Sequence, residues 1–348
     1  MEISNLIIQI SVFFILSFFP FFYLLKFTNG IKNYDIVSFF GINFLFTLNI
    51  ILVASFINPN KKILFLTIFF ISLVSTFISL IKKKINISNY LILLFLFILF
   101  FFISIDIANN FNFSWDVKKY YLPKATAFYE NYFVEDLTKK TEYPYYPSYL
   151  WAFFWKNSFL NYEYFGRMVY GYIYILSIFY FLTLTNFKNI LKIILSFLII
   201  FISYQTNLFD GRPDILIFSF FLFIAKHLFQ IFDNNKNNFV DFVVVILSLN
   251  LILWTKSEGL AYILIISLSI IMLLKKNIKM KFFLALSIST LILIKLLFYK
   301  YYGLSLNPNV ETFSLEILNK INFNFLFTRS YQIIIWYLMY FVTNPIMI

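Results

Sequence analysis

The sequence predicts an all-α fold: a polytopic bundle of about eleven transmembrane helices, with an outward-facing loop that carries short interfacial helices. Three observations predict it. The chain is 61% hydrophobic and only 13% charged, with mean hydropathy +0.82, whereas a soluble domain carries about 25% charged residues. Apolar runs of about 18 residues or more, long enough to cross a bilayer, recur along its length. Much of the remaining polarity falls in one segment, 106–147, and irregular polar backbone cannot lie in lipid. The 348 residues therefore read as a single integral membrane domain, 1–348, whose outer loop with its interfacial helices spans 106–165.

The first apolar run, 6–25, lacks a basic n-region and a small-residue cleavage site, so it reads as a retained span and not a signal peptide. Spans follow at 36–57, 63–81 and 90–105. After the polar segment come 168–187, 190–204, 215–232, 239–254, 260–274 and 282–298, and a last one runs from about 325 to the end. Residues 148–160 are too short to cross. Their Tyr149, Trp151 and Trp155 suit a helix lying at headgroup level, where amphipathic rings sit best. Residues 233–238 form a short polar connector, and there is no internal repeat.

Net charge is +12. In a membrane chain such an excess marks cytoplasmic loops and not a nucleic-acid partner. Alternation of the spans gathers Lys26, Lys32, Lys82, Lys83, Lys84, Lys188, Lys192, Lys236, Lys275, Lys276, Lys279 and Lys281 on one side, which the positive-inside rule names cytoplasmic. The polar segment then faces outward. Lys61 and Lys62 fall on the outer side, against the rule. The chain has no cysteine, which excludes disulfides and thiolate chemistry, and its single histidine, His227, argues against His-based metal sites or triads. His227 lies near a cytoplasmic span end and is expected to have no chemical role. The abundance of Phe, Ile, Asn and Lys fits a low-G+C coding sequence, so the aromatic content carries little functional weight.

Three compact polar motifs fall on the outer side: Trp115-Asp116, Asp210-Gly211-Arg212-Pro213-Asp214, and Thr255-Lys256-Ser257-Glu258-Gly259. Asp116 lies about ten residues beyond a span. A wet carboxylate near the membrane can act as a general base, ligate a divalent cation, or simply cap a helix. Lys118 and Lys119 suit snorkelling to the headgroups. Arg212 with Asp214, and Lys256 with Glu258, sit at span ends, where Arg offers a fork and Lys a point charge to a phosphate. The same pairs can instead lock helix ends. Tyr143-Pro144-Tyr145-Tyr146-Pro147 reads as a stiff aromatic stretch, either a belt or a sugar-stacking wall.

Trp115-Asp116 followed by Tyr120-Tyr121-Leu122-Pro123-Lys124-Ala125, with Tyr143-Pro144 later, resembles the first outer loop of bacterial GT-C-type glycosyltransferases, such as aminoarabinose transferases and protein O-mannosyltransferases. Asp214 and the Lys256–Gly259 turn resemble later landmarks of the same family. The likeness covers roughly residues 106–270. It implies transfer of a sugar from a polyprenyl-phosphate donor to a lipid, glycan or protein acceptor at the outer face of a bacterial inner membrane. It implies Asp116 as the catalytic carboxylate. It assigns Trp115, Tyr120, Lys124, Arg212, Asp214, Lys256 and Glu258 to substrate binding, and it leaves room for a divalent cation at Asp116. The implied partners are the polyprenyl-phosphate-linked sugar and membrane lipid. Val117 stands where many relatives have a second acid, and Tyr121 where His is frequent. Two other readings compete: a polysaccharide polymerase or ligase, and a lipid-linked sugar transporter or flippase.

Overall fold

A computed structural model describes residues 3–21, 35–82, 87–134, 136, 143–157, 159, 161–184, 188–204, 208–233, 239–273 and 278–304. Among the described residues the regular elements are all helical. They are α1 (Ile3–Leu16), α2 (Ile36–Ile57), α3 (Lys61–Lys82), α4 (Ile87–Asn109), a π-helical turn (Val117–Tyr121), α5 (Leu122–Tyr129), α6 (Tyr146–Trp155), α7 (Glu163–Leu182), α8 (Asn189–Ser203), α9 (Asp214–Asp233), α10 (Phe239–Thr255), α11 (Gly259–Leu273) and α12 (Ile278–Tyr301).

Six of these are long and apolar enough to cross a membrane: α2, α3, α4, α7, α9 and α12. Four apolar helices, α1, α8, α10 and α11, are shorter. The 15 residues of α8 rise about 22 Å, less than the roughly 30 Å of a hydrocarbon core. The chain is thus a polytopic helical membrane protein with six full-length spans among the described residues, fewer than the eleven expected. The expected span from 325 onward lies outside them.

Two boundaries moved for identifiable reasons. α1 ends at Leu16, ahead of Pro20, a residue that cannot continue a helix interior. α7 starts at Glu163, five residues before the expected apolar start, because Glu163 and Arg167 pair across one turn at 2.8 Å. The Arg167 guanidinium makes this contact bidentate and also donates to the Asn110 carbonyl at 3.0 Å, which ties the end of α4 to the start of α7.

The helix at 146–155 forms, and its rings are buried among other helices. Tyr149 and Trp151 are 0% exposed, and α6 packs against α2, α3, α5, α7 and α10. Its Tyr146 hydroxyl donates to the Leu48 carbonyl inside α2, and Tyr170 of α7 donates to the Pro147 carbonyl. Tyr and Trp satisfy a belt and a protein interior equally well in composition; here the Tyr146 and Tyr170 hydroxyls find backbone partners, while the Tyr149 hydroxyl is buried without one.

Direction follows from these ties. Asn110 and Arg167 place the end of α4 beside the start of α7. Asp214 and Lys256 place the start of α9 beside the end of α10. At the opposite end, Ser38 of α2 meets Thr183 just beyond α7 and Lys226 of α9. The bundle therefore has one end that carries Asp116 and another that carries the starts of α2 and α10. Small polar groups join its helices in the interior: Asn43 donates to the Ser17 carbonyl, and Asn250 donates to Asn49 at 2.8 Å.

Candidate functional site

The Asp116 end is built on a short interruption of regular helix. Trp115 and Asp116 open a helical turn that immediately widens into the π-helical Val117–Tyr121 before α5 continues. Single π turns concentrate at functional sites. The Asp116 side chain makes no capping hydrogen bond and is half-buried, so the capping role does not describe it. Trp115 is 65% exposed, with the Lys119 ammonium 4.5 Å from its ring centroid. Tyr120 packs edge-on against Trp115 at 5.7 Å and against Tyr143 at 4.6 Å. Together they form an aromatic platform with a cation beside it.

Lys124 is buried, and its Nζ donates to the Tyr143 carbonyl at 2.5 Å. That contact holds the Tyr143-Pro144 stretch against the platform. Tyr121 is buried behind it, and its carbonyl accepts from Ser148 of α6 at 2.9 Å. Burial, then the charge of Asp214, then Tyr143, Tyr170 and Asp116, push the Tyr121 hydroxyl well above the usual tyrosine range. It therefore remains a proton donor, and the fields of Asp116 and Asp214 both reach it.

The second motif turns sharply at Gly211, φ +102°. This turn brings Arg212 back over Asp210, so that the Asp210 Oδ1 accepts from the Arg212 amide at 3.1 Å and from its Nε at 3.2 Å. The other oxygen of Asp210 accepts from the Ser114 amide at 3.2 Å. A 3% exposed carboxylate thus ties the 210–214 turn to the residue preceding Trp115. The third motif is joined to the second by Lys256, whose Nζ lies 2.7 Å from Asp214. The ion pairs are therefore Arg212–Asp210 and Lys256–Asp214, in place of the expected Arg212–Asp214 and Lys256–Glu258. Glu258 accepts from Ser257 at 2.9 Å and adds its charge to the field at Lys256. Burial pulls the Lys256 ammonium down, but the hydrogen bond and charge of Asp214, with Glu258 and Tyr262, outweigh it, and the net direction is upward. Gly259 allows this turn to close: a Cβ there would sit 2.3 Å from the Ile252 carbonyl oxygen.

Trp115, Asp116, Tyr120, Arg212, Asp214, Lys256 and Glu258 thus gather at one end of the bundle, with Lys124 buried beneath the platform. Sequence reading missed Asp210 as the tie, the burial of Tyr121 and Arg167 as the bridge from α4 to α7. A cavity beside the tie is lined by Asp106, Asn110, Asn112, Arg167 and Asp210. Ser114 Oγ and Trp151 Nε1 are buried beside the same turn without a hydrogen-bond partner. Among the described residues no three His, Asp or Glu side chains gather as a metal cage.

The opposite end holds a second polar cluster, fully buried. Nδ1 of His227 lies 2.7 Å from Asp241, and its Nε2 meets the Tyr180 hydroxyl. Lys226 donates to Ser38 at 2.6 Å and to Thr183 at 2.5 Å, with its ammonium 3.8 Å from the Tyr180 ring centroid. Sequence reading assigns His227 no chemical role and does not foresee this packing, which sets it between an acid and a phenol from two other helices.

These features define a polytopic helical membrane protein with a polar, aromatic-lined site at one end. No family model matches the chain, and neither does any curated protein or solved structure.

Proposed function

We propose that the protein is a membrane glycosyltransferase that moves a sugar from a polyprenyl-phosphate donor to a lipid, glycan or protein acceptor, with Asp116 as general base at the outer face. One observation carries this reading: three motifs far apart in sequence meet at one end through the Ser114–Asp210 hydrogen bond and the Asp214–Lys256 ion pair. An uncapped, half-buried carboxylate beside an exposed Trp platform suits an acceptor hydroxyl and a stacked sugar ring. The unpartnered Ser114 Oγ and Trp151 Nε1 supply buried polar atoms that a native site has reason to keep. In this role Asp116 takes the acceptor hydroxyl proton as the acceptor oxygen bonds to the anomeric carbon, and the bond to the carrier phosphate breaks with its electron pair on phosphate. Arg212 and Lys256 stand beside that departing charge. Any divalent cation would add charge neutralisation there.

The test is reconstitution of the full chain in liposomes with radiolabelled polyprenyl-phosphate hexoses and pentoses, presented singly with membrane lipid extract. Label should pass from the donor to a new product. Label that remains on every donor would remove the reading. A second reading, a lipid-linked sugar carrier, draws on Lys226, His227 and Asp241, which are buried inside helices as transporter charges are. In that case labelled donor would cross the bilayer without changing chemically.

A further inference from the structure

Lys61 is 2% exposed at the first residue of α3, yet its ammonium contacts only neutral groups in the described chain. Asn58 Oδ1 accepts from it at 2.9 Å, and the Tyr149 ring centroid lies 5.3 Å away. Lys156, just beyond α6, repeats the arrangement: it donates to the Tyr129 carbonyl and lies 5.2 Å from the Tyr129 ring centroid. Phe65, one turn after Lys61, packs at 5.9 Å on both Phe153 and Phe159, which flank Lys156, so the three lysines share one patch; the charge of Lys156 acts on Lys61, and that of Lys62 on Lys156. Among the described residues neither Lys61 nor Lys156 has a carboxylate in ion-pair range, although this end of the bundle is rich in acids. Among the described residues, Glu130 is the carboxylate whose field reaches Lys156. Burial first, and then Lys62, hold the Lys156 ammonium below the usual lysine range, with Glu130 opposing. Like charges brought together off water repel, and an anion relieves them.

The surroundings are apolar and outward-facing. Ile57 is 76% exposed and Ile63 63% exposed, on either side of Lys61. Phe159, also exposed, packs on α3 at 4.9 Å from Phe69. In a membrane protein such side chains face lipid tails. The site lies at the same end of the bundle as Asp116, with Lys156 at the far end of α5 from the π-helical turn. Helices α5 and α6 run side by side in one direction, with Ser148 on Tyr121 at their starts and Lys156 on Tyr129 at their ends. Eight residues of helix put the Tyr129 carbonyl, and Lys156 with it, about 12 Å from the π-helical turn.

We propose that Lys61, Lys62 and Lys156 form a binding site for a phosphate-bearing lipid headgroup, whose tails lie along the exposed face of α3. The two ammoniums held by neutral groups keep their charge available to the phosphate, and Asn58 fixes the aim of Lys61. The site does not depend on the sugar-transfer reading, since any membrane protein can hold an anionic lipid.

The full chain is purified in a neutral detergent and titrated with spin-labelled phosphatidylglycerol or phosphatidylcholine. The wild type should retain phosphatidylglycerol preferentially. Loss of two lysines near a lipid surface should weaken that preference about 30-fold in the Lys61→Gln/Lys156→Gln protein. Lys156→Gln alone should weaken it about fivefold, and this variant carries the test if substitution of buried Lys61 prevents folding. Lys300→Gln, an exposed lysine on α12, should leave it within about twofold. An undiminished preference in Lys156→Gln would overturn the proposal, as would an equal loss in Lys300→Gln. Displacement of phosphatidylglycerol by millimolar inorganic phosphate would overturn the lipid assignment in favour of a free anion.

Discussion

Gly211→Ala tests whether the 210–214 turn positions the candidate site. Two terms set its magnitude. The backbone at Gly211 has φ +102°, and an L-residue held in a left-handed conformation costs about 1–2 kcal/mol. The added Cβ would fall 2.3 Å from Trp151 Cζ3 and 2.9 Å from Cε3 and Cη2. The indole cannot swing aside freely: it is 0% exposed, with its ring 6.1 Å from Phe113 and its own backbone against Gly166. Overpacking of this kind costs about 1–3 kcal/mol, and the two terms together give about 2–5 kcal/mol. SDS-driven unfolding in mixed micelles measures the loss. Trp151→Phe removes the distal indole atoms that the Cβ would strike. In that background Gly211→Ala should cost only the backbone term, about 1–2 kcal/mol. Equal costs in the two backgrounds would refute the contact, and no cost in either would refute the turn.

Other consequences follow from the same geometry. The Lys256–Asp214 pair should stabilise the fold by at most about 1 kcal/mol, because both groups are partly exposed. Its pH dependence has a definite sign. The Lys256 ammonium is raised in the folded protein, so its contribution is complete below the ordinary lysine range and is lost as pH rises through the raised value. The gap in unfolding midpoint between wild type and Asp214→Asn should therefore be constant from pH 7 to 9 and close above the ordinary lysine value of about 10.4; a gap that widens with alkalinity would contradict it. The cysteine-free chain also permits a topology test. Asn131→Cys and Lys188→Cys, both exposed, should label from opposite sides of intact cells with an impermeant maleimide, Asn131→Cys from outside.

The parts of the fold legible in the sequence were those set by composition over a helix length. The span at 36–57 was read to the residue because Asp35 accepts from the Val37 amide at its start and Asn58 adopts a left-handed cap at its end. The meeting of three polar motifs at one end was legible from span alternation. Their wiring was not. Proximity in sequence suggested Arg212 with Asp214 and Lys256 with Glu258, but the Gly211 turn reverses the chain and hands Asp214 to a lysine 42 residues away. His227 looked inert because its partners, Tyr180 and Asp241, lie on other helices, and no local pattern joins them. The burial of α6 was not legible because an aromatic belt and a buried aromatic helix share one composition. The short α1, α8, α10 and α11 were counted as spans because hydropathy marks apolar runs, whereas helix length depends on where turns and prolines stop them.

The most direct test of the central claim is sugar transfer by Asp116→Asn in the same liposomes, with Asp136→Asn as the comparison. Asn preserves shape and removes charge. Asp136 is exposed and, among the described residues, accepts from the Phe133 amide, a local turn contact. General-base catalysis contributes about 10²–10⁴-fold, so Asp116→Asn should lose at least about a hundredfold in transfer while it unfolds at the wild-type midpoint. Asp136→Asn should transfer within about twofold of wild type. An Asp116→Asn protein that transfers label at the wild-type rate would contradict the assignment of Asp116 as the base.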